Sequence, residues 1–148
     1  MLRLGSVYLI VKDMERSLEF YEALLDMEVT SQNFNRWAQF DFGNASIALY
    51  NPLFDEDRVS RGDDLESAYN SEYLEYRADH PVTYGNNVVL NFWVPDLNEE
   101  YERVKALGIG EVSEILFINV ASPYYFFMLE DPDGNQLEIT GTWNPSGA

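Results

Sequence analysis

Two stretches of this chain repeat one pattern of apolar and polar positions. An apolar run from Val7 to Val11, and an alternation of Val88, Leu90, Phe92 and Val94, each have the character of a β-strand. Each strand leads into an aspartate, Asp13 or Asp96, placed where a helix N-cap belongs. Beyond the caps, Met14, Leu18, Tyr21 and Leu25 recur at helical spacing, as do Leu97, Tyr101, Val104 and Leu107. Glu99 stands three residues after Asp96, the spacing of a capping box, and Gly108 supplies a left-handed terminator for the second helix.

The two copies, Val11 to Val29 and Val94 to Val112, are offset by 83 residues throughout. Three strand-like segments follow each helix. They are expected at about Glu28 to Gln32, Trp37 to Phe42 and Ser46 to Asn51, then at Ile115 to Val120, Tyr124 to Glu130 and Gln136 to Thr140. The last two are joined by Asp131-Pro132-Asp133-Gly134-Asn135, a strong hairpin signal because proline presets one turn dihedral and glycine accepts a positive one. The pattern predicts an α+β fold of two βαβββ modules in a single domain over 1–148. Module 1 spans about 1–51, a helical insert about 52–86 and module 2 about 87–143.

In the insert, Leu65, Tyr69, Tyr73 and Tyr76 recur at helical spacing after a cap at Asp63, predicting one amphipathic helix. It reads either as a linker helix with a packed tyrosine stripe or as a lid over a cavity mouth. Asp55, Glu56, Asp57, Asp63 and Asp64 lack the spacing and glycine of a calcium loop and read as a solvated charge run.

Composition narrows the function classes. The hydrophobic share of 46% is enough for a core, and with no cysteine there is no disulfide framework, thiolate metal site or cysteine nucleophile. A formal charge of −17 opposes nucleic acid and anionic membranes and attracts cations. No apolar run approaches the length of a bilayer span, so a cytoplasmic address and no membrane partner are expected. The single histidine, His80, lies in the insert beside Pro81 and reads as a lone surface residue.

Two βαβββ copies, the V-x-D-M/L helix starts, the FYEALL helix and the closing DPDGNQLEI hairpin together resemble the vicinal oxygen chelate superfamily. That group includes glyoxalase I, extradiol dioxygenases, and fosfomycin and bleomycin resistance proteins. The resemblance implies half-barrel sheets around a central ligand cavity and a homodimer. Its metal enzymes place ligands on the first and last strand of each copy. Counted from the shared landmarks, those positions here are Ser6, Ala48, Val89 and Glu138. A neutral serine is a poor ligand, alanine and valine have no donor, and one carboxylate does not hold a divalent ion against water. No metal and no cofactor are therefore expected.

Strand alternation names the side chains that share a face with those positions. The expected ligand-binding residues are Ser6, Tyr8, Ala48, Tyr50, Val89, Asn91, Trp93, Gln136 and Glu138. Trp93, Tyr8 and Tyr50 suit a planar or cationic ligand and Glu138 a positive nitrogen, although the same aromatics would serve as filler. Phe34, Trp37, Phe40, Phe117, Tyr125, Phe126 and Phe127 read as core or subunit interface. The resulting expectation is a metal-free small-molecule-binding protein of the bleomycin-resistance type that sequesters a small, cationic aromatic compound. The alternative is a lyase, isomerase or dioxygenase of the same superfamily using a metal or Glu138 as base, with no catalytic residue identified.

Overall fold

The computed structural model describes residues 1, 3–62, 64–85, 88–119 and 121–147. The expected cap Asp63, the insert's end at Asn86 and the strand end Val120 lie outside them.

Each module is an open four-stranded mixed sheet. The first contains β1 (Val7–Ile10), β2 (Ser31–Asn33), β3 (Trp37–Asp41) and β4 (Ser46–Tyr50) in the order β1-β4-β3-β2. The second contains β5 (Val89–Val94), β6 (Leu116–Asn119), β7 (Pro123–Glu130) and β8 (Gln136–Gly141) in the order β5-β8-β7-β6. In both, the first strand runs parallel to the fourth and the remaining pairs are antiparallel. The duplicated βαβββ topology expected from the repeat is present.

Helix α1 (Met14–Leu25) begins where Asp13 accepts the Arg16 amide at 3.1 Å, and α5 (Leu97–Leu107) where Asp96 accepts that of Glu99 at 3.0 Å. Among the described residues the reciprocal arm of the capping box, from the Asp96 amide to Glu99, does not form. Gly108 closes α5 at φ 61, as its position predicted.

The chain divides into two compact units, 1–18 with 28–84 and 19–27 with 85–148. The second half of α1 therefore belongs with the second sheet. Within that unit Tyr21, fully buried, donates 2.7 Å to Asp131 Oδ2, and Arg103 holds the Ala23 and Leu24 carbonyls at the end of α1. Asp131 also accepts the amides of Asp133 and Asn135 and the Asn135 side chain, so its carboxylate organises the hairpin while Gly134 takes φ 86. Burial, and the negative charge of Asp131 beside it, push the Tyr21 hydroxyl far up from its ordinary pKa, which keeps it a donor.

The core follows the predicted alternation. Leu9, Val11, Ile47 and Leu49 of the first sheet are buried, as are Leu137 and Ile139 of the second. Phe40, Phe126 and Phe127 join the core, whereas Phe34 and Phe117 are exposed.

The insert departs from its expectation. It is three helices, α2 (Pro52–Arg61), α3 (Leu65–Ala68) and α4 (Ser71–Asp79), rather than one. Asn51 caps the first with Pro52 at its opening position, and Gly62 stops it in the left-handed region. Asn70 caps the last by accepting the Tyr73 amide, which leaves Tyr69 in extended backbone between helices. His80 is exposed and stacks on Tyr76. Among the described residues no helix is long and apolar enough to cross a membrane.

Candidate functional site

On the side of the first sheet expected to face a ligand, Tyr8 lies directly across from Ala48, and its ring meets Trp37 at 5.2 Å and Tyr50 edge-on at 6.1 Å. A polar row runs beside these rings. Trp37 Nε1 donates to Gln39, whose amide donates 2.8 Å to Asp41, and Ser46 donates 2.7 Å to the same carboxylate. Those two bonds hold the Asp41 carboxyl below its usual range. Ser6 sits just before β1, half-buried.

The insert docks on this side through a residue that sequence reasoning assigned to solvent. Asp55 is a correction to the solvated charge run, because its side chain is 0% exposed and accepts four donors. Arg36 Nε at 2.9 Å and the Tyr69 hydroxyl at 2.6 Å meet one oxygen; the Tyr50 hydroxyl at 2.6 Å and that of Tyr73 at 3.3 Å meet the other. Burial alone would raise the Asp55 pKa, but the bonds from Arg36, Tyr50 and Tyr69 and the arginine charge outweigh it and leave the group at about 2. Burial and the bond to Asp55 push Tyr69 up to about 12 and raise Tyr50 as well. Two members of the tyrosine stripe, Tyr69 and Tyr73, thus converge with Tyr50 of β4 on one carboxylate, while Tyr76 stays exposed. Arg77 adds a bond from α4 to the Pro52 carbonyl at the start of α2.

Beside this network a cavity of about 740 Å³ opens against the β2–β3 turn, walled by Phe34, Arg36, Phe54, Arg58, Tyr69 and Tyr73. Phe34 holds φ 54, a left-handed conformation that costs a side chain with a Cβ about 1 to 2 kcal/mol. Its ring is 79% exposed.

The second sheet carries a different surface. Asn91 lies across from Glu138 and donates 3.0 Å to its Oε1, which fixes the carboxylate's orientation. Trp93, two residues along, is 68% exposed. These three expected residues line a hollow of about 670 Å³ together with Thr140, Tyr124 and Trp143. Gly141 forms part of the lining, and a Cβ there would drive into the Val94 carbonyl, so the close approach of β5 and β8 at this end needs glycine. Tyr124 was not anticipated as a wall. The signal was available, since the tight hairpin sets Met128 opposite Glu138 and two-residue alternation then brings Phe126 and Tyr124 to the same face.

Of the nine expected residues, Tyr8, Ala48 and Tyr50 come together on the first sheet, and Asn91, Trp93 and Glu138 on the second. Ser6, Tyr8, Ala48, Tyr50, Val89 and Gln136 line neither of the two cavities. Gln136 instead donates to Glu130, and Val89 begins β5 with its side chain exposed.

The four positions counted from the sequence landmarks as metal-ligand positions do not fit a metal. Ala48 is a fully buried methyl group, Val89 carries no donor, Ser6 is a neutral hydroxyl, and one oxygen of Glu138 already accepts from Asn91. Among the described residues no group of three or more histidine, aspartate or glutamate side chains is arranged to hold an ion.

Comparison with known proteins agrees with this architecture. A structure of a glyoxalase/bleomycin resistance protein from Albidiferax ferrireducens T118 superposes with a TM-score of 0.62 at 21% identity, covering 94% of this chain and 98% of that one. A lactoylglutathione lyase from Agrobacterium tumefaciens gives 0.61 at 19% identity, with 95% and 92% covered. A protein from the mobile metagenome of V. Pseudocholerae gives 0.63 at 24% identity, with 97% of each chain covered. At these identities the likeness shows the fold. The family profile described as Glyoxalase/Bleomycin resistance protein/Dioxygenase superfamily matches residues 3–139, and the chain belongs to that superfamily.

Proposed function

We propose that the protein binds a small cationic aromatic compound without converting it, using the hollow on the second sheet. The observation that carries this reading is the combination there of an exposed Trp93, a second ring at Tyr124 and the oriented carboxylate of Glu138. A planar cation stacks on indole with a gain of about 0.5 to 2 kcal/mol, the larger value when water is excluded. Glu138 pairs with its positive nitrogen, and the net charge of −17 speeds the encounter. The biological role in this reading is capture of a toxic compound, an antibiotic included, in the cytoplasm, with neither nucleic acid nor membrane as partner.

A second copy of the chain is part of the proposal. The outer strand β6 leaves Leu116, Phe117 and Ile118 exposed on a sheet edge, the kind of surface that an isologous partner covers. Sedimentation velocity giving only a monomer at micromolar protein would remove that part.

The alternative, an enzyme of the superfamily, draws on Glu138 standing at a ligand position and on the likeness to a lactoylglutathione lyase. It lacks the other donors. Calorimetric titration with N-methylquinolinium separates the two readings: saturable binding that Trp93→Ala weakens about tenfold or more supports capture. Stoichiometric retention of zinc, nickel or manganese after dialysis, with turnover of a glutathione adduct, supports the enzyme.

A further inference from the structure

We propose that the cavity between the insert and the β2–β3 turn is a second small-molecule site, and that it takes a planar aromatic carboxylate. It belongs wholly to the first unit and prefers the opposite charge to the hollow on the second sheet, so the two readings stand or fall separately.

The walls carry the argument. Phe34 and Phe54 lie parallel, with centroids 6.0 Å apart and planes 17° from each other; Tyr69 and Tyr73 form another parallel pair at 5.5 Å and 12°. Two ring pairs lining a space of about 740 Å³ match the size and character of a site for a flat molecule. The hydroxyls of the tyrosines are committed to Asp55, which fixes those rings before any ligand arrives.

Phe34 points the same way. A phenylalanine occupies the left-handed position in Asn33-Phe34-Asn35, although either asparagine neighbour's residue type tolerates that conformation better. The turn is held there by Gln32 donating to the Phe34 carbonyl and by the Arg36 amide donating to that of Asn33. The Phe34 ring stacks on Phe54 yet stays exposed at the cavity rim, and contact with a ligand accounts for a strained aromatic residue at that place.

The charge preference rests on Arg58. Arg36 spends its Nε on Asp55, whereas Arg58 lies over the Tyr69 ring at 5.8 Å and pairs with no carboxylate among the described residues. A half-buried arginine that lines a cavity and pairs with no carboxylate among the described residues is a receiver for a planar anion. Glu66 also lines the cavity, but it is exposed and solvated, so its opposition is weak.

Calorimetry with three probes that share the naphthalene ring and differ in charge, 1-naphthoate, 1-naphthalenemethanol and 1-naphthylmethylamine, tests the site. The carboxylate is expected to bind one-to-one with a dissociation constant below about 1 mM, and the alcohol and the ammonium at least about tenfold more weakly. Arg58→Gln should weaken naphthoate about tenfold, Glu66→Gln should tighten it, and Trp93→Ala should leave it unchanged. Phe34→Asn separates a ligand wall from a structural prop. It should weaken naphthoate while holding or raising the unfolding midpoint, because asparagine suits the left-handed backbone. Absence of saturable naphthoate binding up to about 10 mM, equal affinity for the ammonium, or indifference to Arg58→Gln would overturn the proposal.

Discussion

The two modules share strand order and register yet present opposite surfaces. The equivalent cross-strand pairs are Tyr8 with Ala48 and Asn91 with Glu138. In the first module the pair is an aromatic ring beside a methyl group, and the same face meets Asp55, a carboxylate that the insert brings down and buries against it. In the second it is an amide holding a half-buried carboxylate, with an uncovered indole next to it. One backbone plan therefore carries a buried carboxylate network in one copy and an open surface with an uncovered indole in the other. Exposed and unspent groups are the ones available to a ligand.

The largest effect expected from breaking this contrast is at Asp55. Asp55→Ala leaves Arg36 and three tyrosine hydroxyls without their shared acceptor and should cost about 3 kcal/mol of unfolding free energy in denaturant titration. The equivalent removal in the second module, Glu138→Ala, should cost under about 0.5 kcal/mol because Asn91 turns to water. Equal losses would show that the faces are not different in kind.

Acid titration gives the next effect. The folded Asp55 carboxyl, at about 2, is a stronger acid than in the unfolded chain, where it titrates near 4. The unfolded state thus takes up the proton first. The stability Asp55 contributes is complete above about pH 4 and is lost as pH falls through about 2, a change of roughly 2 kcal/mol. Asp55→Asn should flatten that segment of the stability profile, and a profile identical to wild type would contradict the network.

Smaller again is Tyr21→Phe in the second unit. It removes one of the donors to Asp131 while the Asp133 and Asn135 amides remain, so a loss of about 1 to 2 kcal/mol is expected by thermal or denaturant unfolding. Trp93→Ala should change stability least, within about 0.5 kcal/mol, because so much of the indole faces solvent.

The same contrast explains what the sequence made legible. Alternation and caps located both modules because strand period, Asp13, Asp96 and Gly108 act locally. The face containing Asn91, Trp93 and Glu138 followed from counting by twos along β5 and β8. Asp55 was hidden because the groups that bury it, Arg36, Tyr50, Tyr69 and Tyr73, come from four places in the chain, while its sequence neighbours Glu56 and Asp57 are exposed. Tyr69 and Tyr73 keep helical spacing across a break that Asn70 makes, so periodicity alone joined two helices into one. The exposed Phe34 was equally hidden, since nothing in the residue type announces a left-handed backbone.

The proposed capture rests on Glu138 giving the open face of the second module a preference for a positive aromatic ligand. Titrating wild type and Glu138→Gln with N-methylquinolinium and with neutral quinoline tests it most directly. The cation is expected to bind wild type more tightly than quinoline, and Glu138→Gln to erase this preference while leaving quinoline affinity unchanged. A cation preference that survives Glu138→Gln, or no binding of either compound, contradicts it.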